Sequence, residues 1–418
     1  MKTKSILFLC INFLLITSCT NDGSNDGYKE YLVARPIMMD QDEFTNSVSV
    51  IAPRPVDESG KVYTYGDYIF VNDKYRGVHV IDNRNPSQPV KINFIKIPGN
   101  VDISVKDDYL FADSLMDLVV IDISEIEQIE QVNRLQNVLY NNVVFPFEAD
   151  LVEYEDYNYG SEIIVGWETV TERRLVSEVE GKMNGGQVFM DFAAAEATNS
   201  GGTGQGGSLA RFKIVEDYLY AVDSHNINIF NISDLDNPQV LDNVYAGFDI
   251  ETIFNRDNYL FLGSRRGMYI YDITSPATPT LVSEFEHGTA CDPVVVDGDY
   301  AYVTLRGGNM CGATESGLFI VDISDIENPE LATSYPMDGP YGLGIKDEKI
   351  FICDGDSGLK VYDKTDINNL IALNHFKDIV TYDVIPMENH LIMVGDEMLY
   401  QYEYLNNGIK LLSQIGLN

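Results

Sequence analysis

The chain has 418 residues, 45% hydrophobic and 11% aromatic, with 65 Asp and Glu against 28 Lys and Arg, a formal net charge of −37. That length and apolar content can bury a sizeable core, and one large closed repeat domain fits better than three separate ones. The charge argues against nucleic acid as a partner, since phosphates need cations opposite them, and against unaided binding to an anionic lipid surface.

Residues 1–18 read as an export signal: Lys2 and Lys4, an apolar run from Ile6 to Ile16, then Thr17-Ser18-Cys19. The run is short for a transmembrane helix and has the charge and small residues of a leader. Ile16-Thr17-Ser18-Cys19 resembles the bacterial lipobox, which implies that Cys19 becomes the lipidated first residue of the mature protein. An ordinary signal peptide with an incidental cysteine is the alternative. Residues 20–27 are short, polar and rich in Gly, Asn and Asp, as a tether is. The overall style resembles lipoproteins of the Bacteroidetes, implying a lipid anchor in the outer membrane, with the protein periplasmic or at the surface. Residues 19–60 then form a lipidated tether and N-terminal arm. Within the arm, Val48-Ser49-Val50-Ile51 reads as an extra strand bracing the repeat domain.

From residue 61 to the end, one pattern recurs: a strand, an Asp/Gly/Asn turn, a second strand opening on an aromatic or aliphatic residue, a hairpin and a returning strand. The opening residues are Tyr68, Tyr109, Tyr218, Tyr259, Tyr300, Ile350 and Leu391. The intervals Tyr68–Tyr109, Tyr218–Tyr259, Tyr259–Tyr300 and Ile350–Leu391 are each 41 residues. Tyr300 to Ile350 adds nine, and Tyr109 to Tyr218 adds 68. A period of about 40–45 residues holding several strands marks propeller blades. In the fourth unit the strands fall near 251–255, 259–264, 268–272 and 280–285. The fold expected is all-β, a seven-bladed β-propeller of four-stranded blades, with six or eight blades as alternatives.

Leu118-Val119-Val120-Ile121-Asp122, Leu318-Phe319-Ile320-Val321-Asp322 and Leu359-Lys360-Val361-Tyr362-Asp363 resemble the LVIVD-repeat family of bacterial propeller-like proteins. Asp322-Ile323-Ser324-Asp325 and Asn328-Pro329 match the turn that comes next in that family. The seventh unit departs from it, since Leu399-Tyr400-Gln401-Tyr402-Glu403 lacks the Asp. Such repeats specify a fold well and a function hardly at all.

The long insertion, 139–209, lies between units two and three. It carries an acidic tyrosine-rich stretch (Glu153-Tyr154-Glu155-Asp156-Tyr157-Asn158-Tyr159), one strand near 163–167 and a second near 172–176. It reads as a small ordered hairpin with a mobile Gly/Ser-rich return over 199–208, a degenerate eighth blade being the alternative.

Residues with chemical potential are few. The five histidines stand at no ligand spacing, and there is no Cys-x-x-Cys pair. Asp354-Gly355-Asp356-Ser357-Gly358 reads as a hairpin turn, with calcium the alternative; no other cofactor is implied. Cys291 begins a first strand and Cys311 lies in the hairpin after the second, on the same face of the unit. Export makes a disulfide between them reasonable.

First strands line a propeller's channel. Asp102, Glu251, Asp292 and Asp383 all fall seven or eight residues before their unit's opening residue, at the mouth of that channel, with Arg211 beside them. This face, which also bears the insertion and the Cys311 loop, is the candidate binding face. The favoured reading is a membrane-anchored, non-catalytic binding or scaffold module at the cell envelope, with a protein or glycan as partner. The alternative is a hydrolase or lyase using these carboxylates, with or without a metal.

Overall fold

Two-residue turns set the repeat. A computed structural model describes residues 27–140, 143, 145–146, 149–154, 160–183, 205–286, 293–307 and 316–418. Tyr65 pairs with Tyr68, Lys106 with Tyr109, Val215 with Tyr218, Arg256 with Tyr259 and Asp297 with Tyr300. The first residue of each intervening loop is Gly66, Asp107, Glu216, Asp257 or Gly298, and each has left-handed backbone (φ 45–55°). That geometry matches the twist of the flanking strands, which is why Gly and Asp recur there.

Among the described residues, seven antiparallel meanders result, spanning 59–96, 103–135, 212–245, 250–286, 294–336, 343–376 and 381–416, each with four strands in line except that the last place of the third is shared by two short strands, Gln239–Val240 and Val244–Tyr245. The fourth consists of Ile250–Arg256, Tyr259–Ser264, Gly267–Asp272 and Thr280–Glu286, within one residue of the sequence reading. The protein is thus all-β and propeller-like. Second strands are apolar on both faces, as in Tyr259–Ser264, because each sheet is covered on both sides. Fourth strands such as Thr280–Glu286 are only partly covered. First strands of successive sheets touch in sequence order, and that of the seventh touches that of the first. An apolar cluster joins each sheet to the next; the one joining seventh to first packs Ile385, Ile392, Val394 and Leu399 on Val62, Ile69 and Val71. The first and seventh sheets exchange no strand.

The aspartate ending the LVIVD-like stretch is a turn device. Asp122, Asp272, Asp322 and Asp363 each accept a hydrogen bond from the backbone N–H two residues on, at 2.6–2.9 Å. The Thr274, Ser324 and Thr365 hydroxyls hold the Asp272, Asp322 and Asp363 carboxyls below the ordinary range, helped by these backbone bonds. Unit seven replaces the device with a tight hairpin, Leu405 pairing with Gly408. We expect Asp322→Ala to cost about 1 kcal/mol, read from the urea midpoint; a loss above about 3 kcal/mol would mean the residue does more than hold a turn.

The insertion departs from its reading. Instead of a hairpin, its described residues contribute one long strand, Glu162–Leu175, followed by a helix, Val176–Met183, besides two two-residue strands. The strand's antiparallel partner is the N-terminal arm, Tyr28–Asp40, with Leu151–Val152 added in parallel on the other edge. Sequence-local reasoning sought a partner within the insertion, whereas the partner lies more than a hundred residues upstream. This three-stranded sheet is no eighth four-strand meander. It packs on units one and two: Gly166 lies against Tyr75, where a Cβ would stand 2.5 Å from the Tyr75 Cβ, and Val165 clusters with Phe44 and Leu115. Ser49–Ile51, read as a bracing strand, adds to the outer edge of the first sheet beside Val90–Lys96.

The sequence reads the return of the insertion, 199–208, as mobile; 199–204 lie outside the described residues. Its last residues are instead built in: Gln205–Gly206 pairs with Tyr63 and Thr64 on the inner edge of the first sheet. Gly206, Gly207 and Ser208 are buried.

Candidate functional site

The residues picked out as an acidic mouth come together, though not as an open ring. Asp102 is 1% exposed, Glu251 1%, Asp383 0% and Arg211 3%. The chain running from Ser208 to Arg211 is itself buried and lies against Asp383 and Asp102. One Asp102 oxygen, Oδ2, accepts from Lys61 Nζ at 3.0 Å and from the backbone N–H groups of Arg211 (2.7 Å) and Phe212 (3.3 Å). Its Oδ1 accepts from Ile103 N at 2.7 Å. Asp102 is therefore the peg that seats the returning chain at the start of the third unit's first strand.

Asp383 does the same for the preceding residues. Its Oδ1 accepts from Ser208 N (3.2 Å) and Val384 N (2.9 Å), while Ser208 Oγ accepts from Leu343 N at 2.8 Å. Burial drives the Asp383 carboxyl well above the ordinary range, opposed by those two N–H groups and by Lys61. Within the described residues its Oδ2 has no hydrogen-bond partner. The belt is thus of mixed sign. Burial lowers the pKa of Lys61 and of Arg211, and the neighbouring acids, Asp102 for Lys61 and Glu251 for Arg211, raise it.

Sequence reasoning missed Lys61, although it stands seven residues before Tyr68, just as Asp102 stands before Tyr109. Counting cations as well as acids at that place in the repeat would have found it. Asp113 was also missed. Its Oδ1 accepts from Val101 N, Asp102 N and Asn100 Nδ2 at 2.8–2.9 Å.

Burial raises the Asp113 carboxyl to about 6, against the pull of the Asp102 and Val101 N–H groups. Between pH ~4 and ~6 the folded protein holds this proton and the unfolded chain does not. Stability from this group therefore falls as pH rises through that window, by at most about 3 kcal/mol. We expect Asp113→Asn to gain on wild type in urea unfolding free energy from pH 4 to 6.5; a pH-independent difference would contradict the assignment.

An open cavity of about 570 Å³ lies at the other end of the first strands, lined by Tyr65, Lys213, Phe254, Asn255, Ile345 and Met387 among others. Gln205–Ser208 forms one wall, and none of Asp102, Glu251 or Asp383 lines it. Burial lowers the Lys213 ammonium to about 8, and Nζ sits 5.6 Å from the Phe254 ring centroid.

Asp354 is occupied as a turn residue, accepting from Gly339 N at 2.8 Å, and both Asp354 and Asp338 pair with Lys360. Among the described residues, no group of three or more His, Cys, Asp or Glu side chains is placed to hold a metal ion. Cys353 is a buried thiol, its pKa pushed up by burial. Cys19, Cys291, Asp292 and Cys311, and with them the lipidation and disulfide readings, lie outside the described residues. Among those residues no helix is long and apolar enough to cross a membrane.

On the side that bears the insertion, an aromatic group stands in solvent. Tyr245 is 58% exposed and Phe248 50%. Phe248 meets His225 and Tyr245 edge-on at 5.6 and 6.0 Å, with the Arg266 guanidinium 5.5 Å from its ring centroid. His225 and Arg266 occupy hairpins between second and third strands, the place in the repeat where Tyr75 and Leu115 carry the inserted sheet.

No curated protein matches the chain. Two solved structures share its fold: a protein from Lactobacillus plantarum (TM-score 0.54, 10% identity, 85% of this chain and 96% of that one) and a functionally unknown protein from Desulfotomaculum acetoxidans DSM 771 (0.51, 11%, 84% and 95%). The LVIVD repeat model matches residues 58–93, 99–126, 253–286 and 287–336, in units one, two, four and five. The chain thus carries four LVIVD repeats.

Proposed function

We propose that this is a non-catalytic binding or scaffold module of the bacterial cell envelope, a seven-bladed β-propeller held to the outer membrane by lipid on Cys19. The cyclic contacts of first strands, and the apolar cluster between seventh and first sheets, support seven blades around one axis. The observation that carries the binding reading is the exposed Tyr245–Phe248–His225–Arg266 group on the insertion-bearing side. Aromatic residues and Arg beside apolar surface are the usual anchors of protein interfaces, and a protein partner on this side is the reading we adopt. Carboxylate catalysis is disfavoured because Asp102, Glu251 and Asp383 are buried, and Asp102 and Asp383 serve to seat the chain. A substrate would have to displace Ser208–Arg211 to reach them.

The test is in-cell crosslinking followed by purification, comparing wild type with the Tyr245→Ala/Phe248→Ala variant. The reading expects a specific partner whose recovery falls at least tenfold in the variant. Equal recovery from both proteins would remove this side as the binding surface.

A further inference from the structure

The N-terminal arm enters the inserted sheet at Gly27 and Tyr28. Val176 N donates to Gly27 O, and Tyr28 pairs with Leu175, so the anchor-proximal end of the arm is the tip of the three-stranded sheet. Eight residue steps separate Cys19 from Gly27; fully extended, they span no more than about 28 Å. The sheet is long. Its 13-residue arm strand, Tyr28–Asp40, covers roughly 43 Å, and its opposite half packs on units one and two through Val165 and Gly166.

The tip has the chemistry of a membrane interface. Tyr28 is exposed and carries the Arg173 guanidinium 5.2 Å from its ring centroid; Lys29 Nζ stands 5.0 Å from the Tyr31 ring centroid. Tyrosine and long cationic side chains are the residues that settle among headgroups, ring or stem inward and polar end in water. Over the tip's four cross-strand pairs, 28–31 with 172–175, Arg174 is held in ion pairs with Glu153 and Glu172, while Lys29 and Arg173 lie over the Tyr31 and Tyr28 rings.

Resting on the lipidated-module reading above, we propose that the arm–insertion sheet is a strut whose tip, at Tyr28, Lys29 and Arg173, lies on the phospholipid headgroups of the anchoring membrane. It turns the insertion-bearing side of the ring toward that bilayer. The partner taken by the Tyr245–Phe248 group is then one held in or at the same membrane. The N-terminal arm, outside the repeat, thereby converts a flexible lipid tether into a fixed orientation.

The experiment places a photoreactive benzophenone side chain, in separate full-length proteins, at Tyr28, at Arg173 and at Asn258, an exposed turn residue on the other side of the ring. Each is irradiated in the membranes of the expressing cells, and adducts are identified by mass. Phospholipid adducts at positions 28 and 173, at least tenfold above position 258, are the expected result. Equal lipid labelling at all three positions, or protein adducts alone at the tip, overturns the strut. The mass of the N-terminal peptide is read in the same samples. If it lacks an acyl group at Cys19, the anchored reading falls and takes the strut with it. If it carries one while the tip fails to label lipid, the strut alone is wrong. Two tip positions guard against one substitution disturbing the sheet.

Discussion

Replacing Asp102 with alanine is expected to lower unfolding free energy by about 3–5 kcal/mol, the largest single-residue loss in the molecule. The carboxylate receives Lys61 and the N–H groups of Arg211, Phe212 and Ile103 in a place without water access. Alanine leaves an ammonium buried without its nearest counter-charge and three backbone donors without an acceptor. Removing both charges should be gentler, because the desolvation cost of Lys61 goes with its partner. The Lys61→Met/Asp102→Asn protein is therefore expected to lose less than the sum of its single changes in urea unfolding. A loss under 1 kcal/mol in Asp102→Ala, or strict additivity in the pair, would mean that Asp102 does not seat the returning chain.

Gly207→Ala is expected to have the second-largest effect. A Cβ there would stand 1.8 Å from Asp383 Oδ2 and 2.1 Å from its Cγ. Asp383 cannot swing away: Ser208 N and Val384 N hold its Oδ1, and a Cβ on Gly342 would itself lie 2.3 Å from that oxygen. Relief requires moving the channel segment, at a cost of about 1–3 kcal/mol. Asp383→Ala should remove the obstacle, so the double variant is expected to recover most of the loss attributable to Gly207→Ala. Failure of that rescue would separate Gly207 from Asp383 and leave the close approach without energetic meaning.

The two variants also show what can be read from sequence and what cannot. Blade strands, turns and the period were legible because they arise from local alternation and from two-residue loops such as Asp257-Asn258. The place of Asp102, Glu251 and Asp383 at the start of first strands was legible for the same reason. The seating of the returning chain on Asp102 and Asp383 was not, since it involves a chain segment that leaves the repeat at unit two and re-enters at Gln205. No periodicity marks that segment, and its Gly/Ser composition reads as mobility. Its glycines instead permit close backbone approach within the channel, as Gly207 does at Asp383. The pairing of Tyr28–Asp40 with Glu162–Leu175 was hidden too: two half-exposed strands far apart in sequence carry no mutual signal.

In the native protein the belt of carboxylates is buried. Carbodiimide coupling of a small amine to the folded protein, followed by peptide mass mapping, measures this directly. Asp102, Asp113, Glu251 and Asp383 are expected to stay unlabelled while exposed turn acids such as Asp325 and Glu327 react to completion. Labelling of the four at rates comparable to Asp325 would mean an open acidic mouth. The binding-module reading would then give way to carboxylate chemistry.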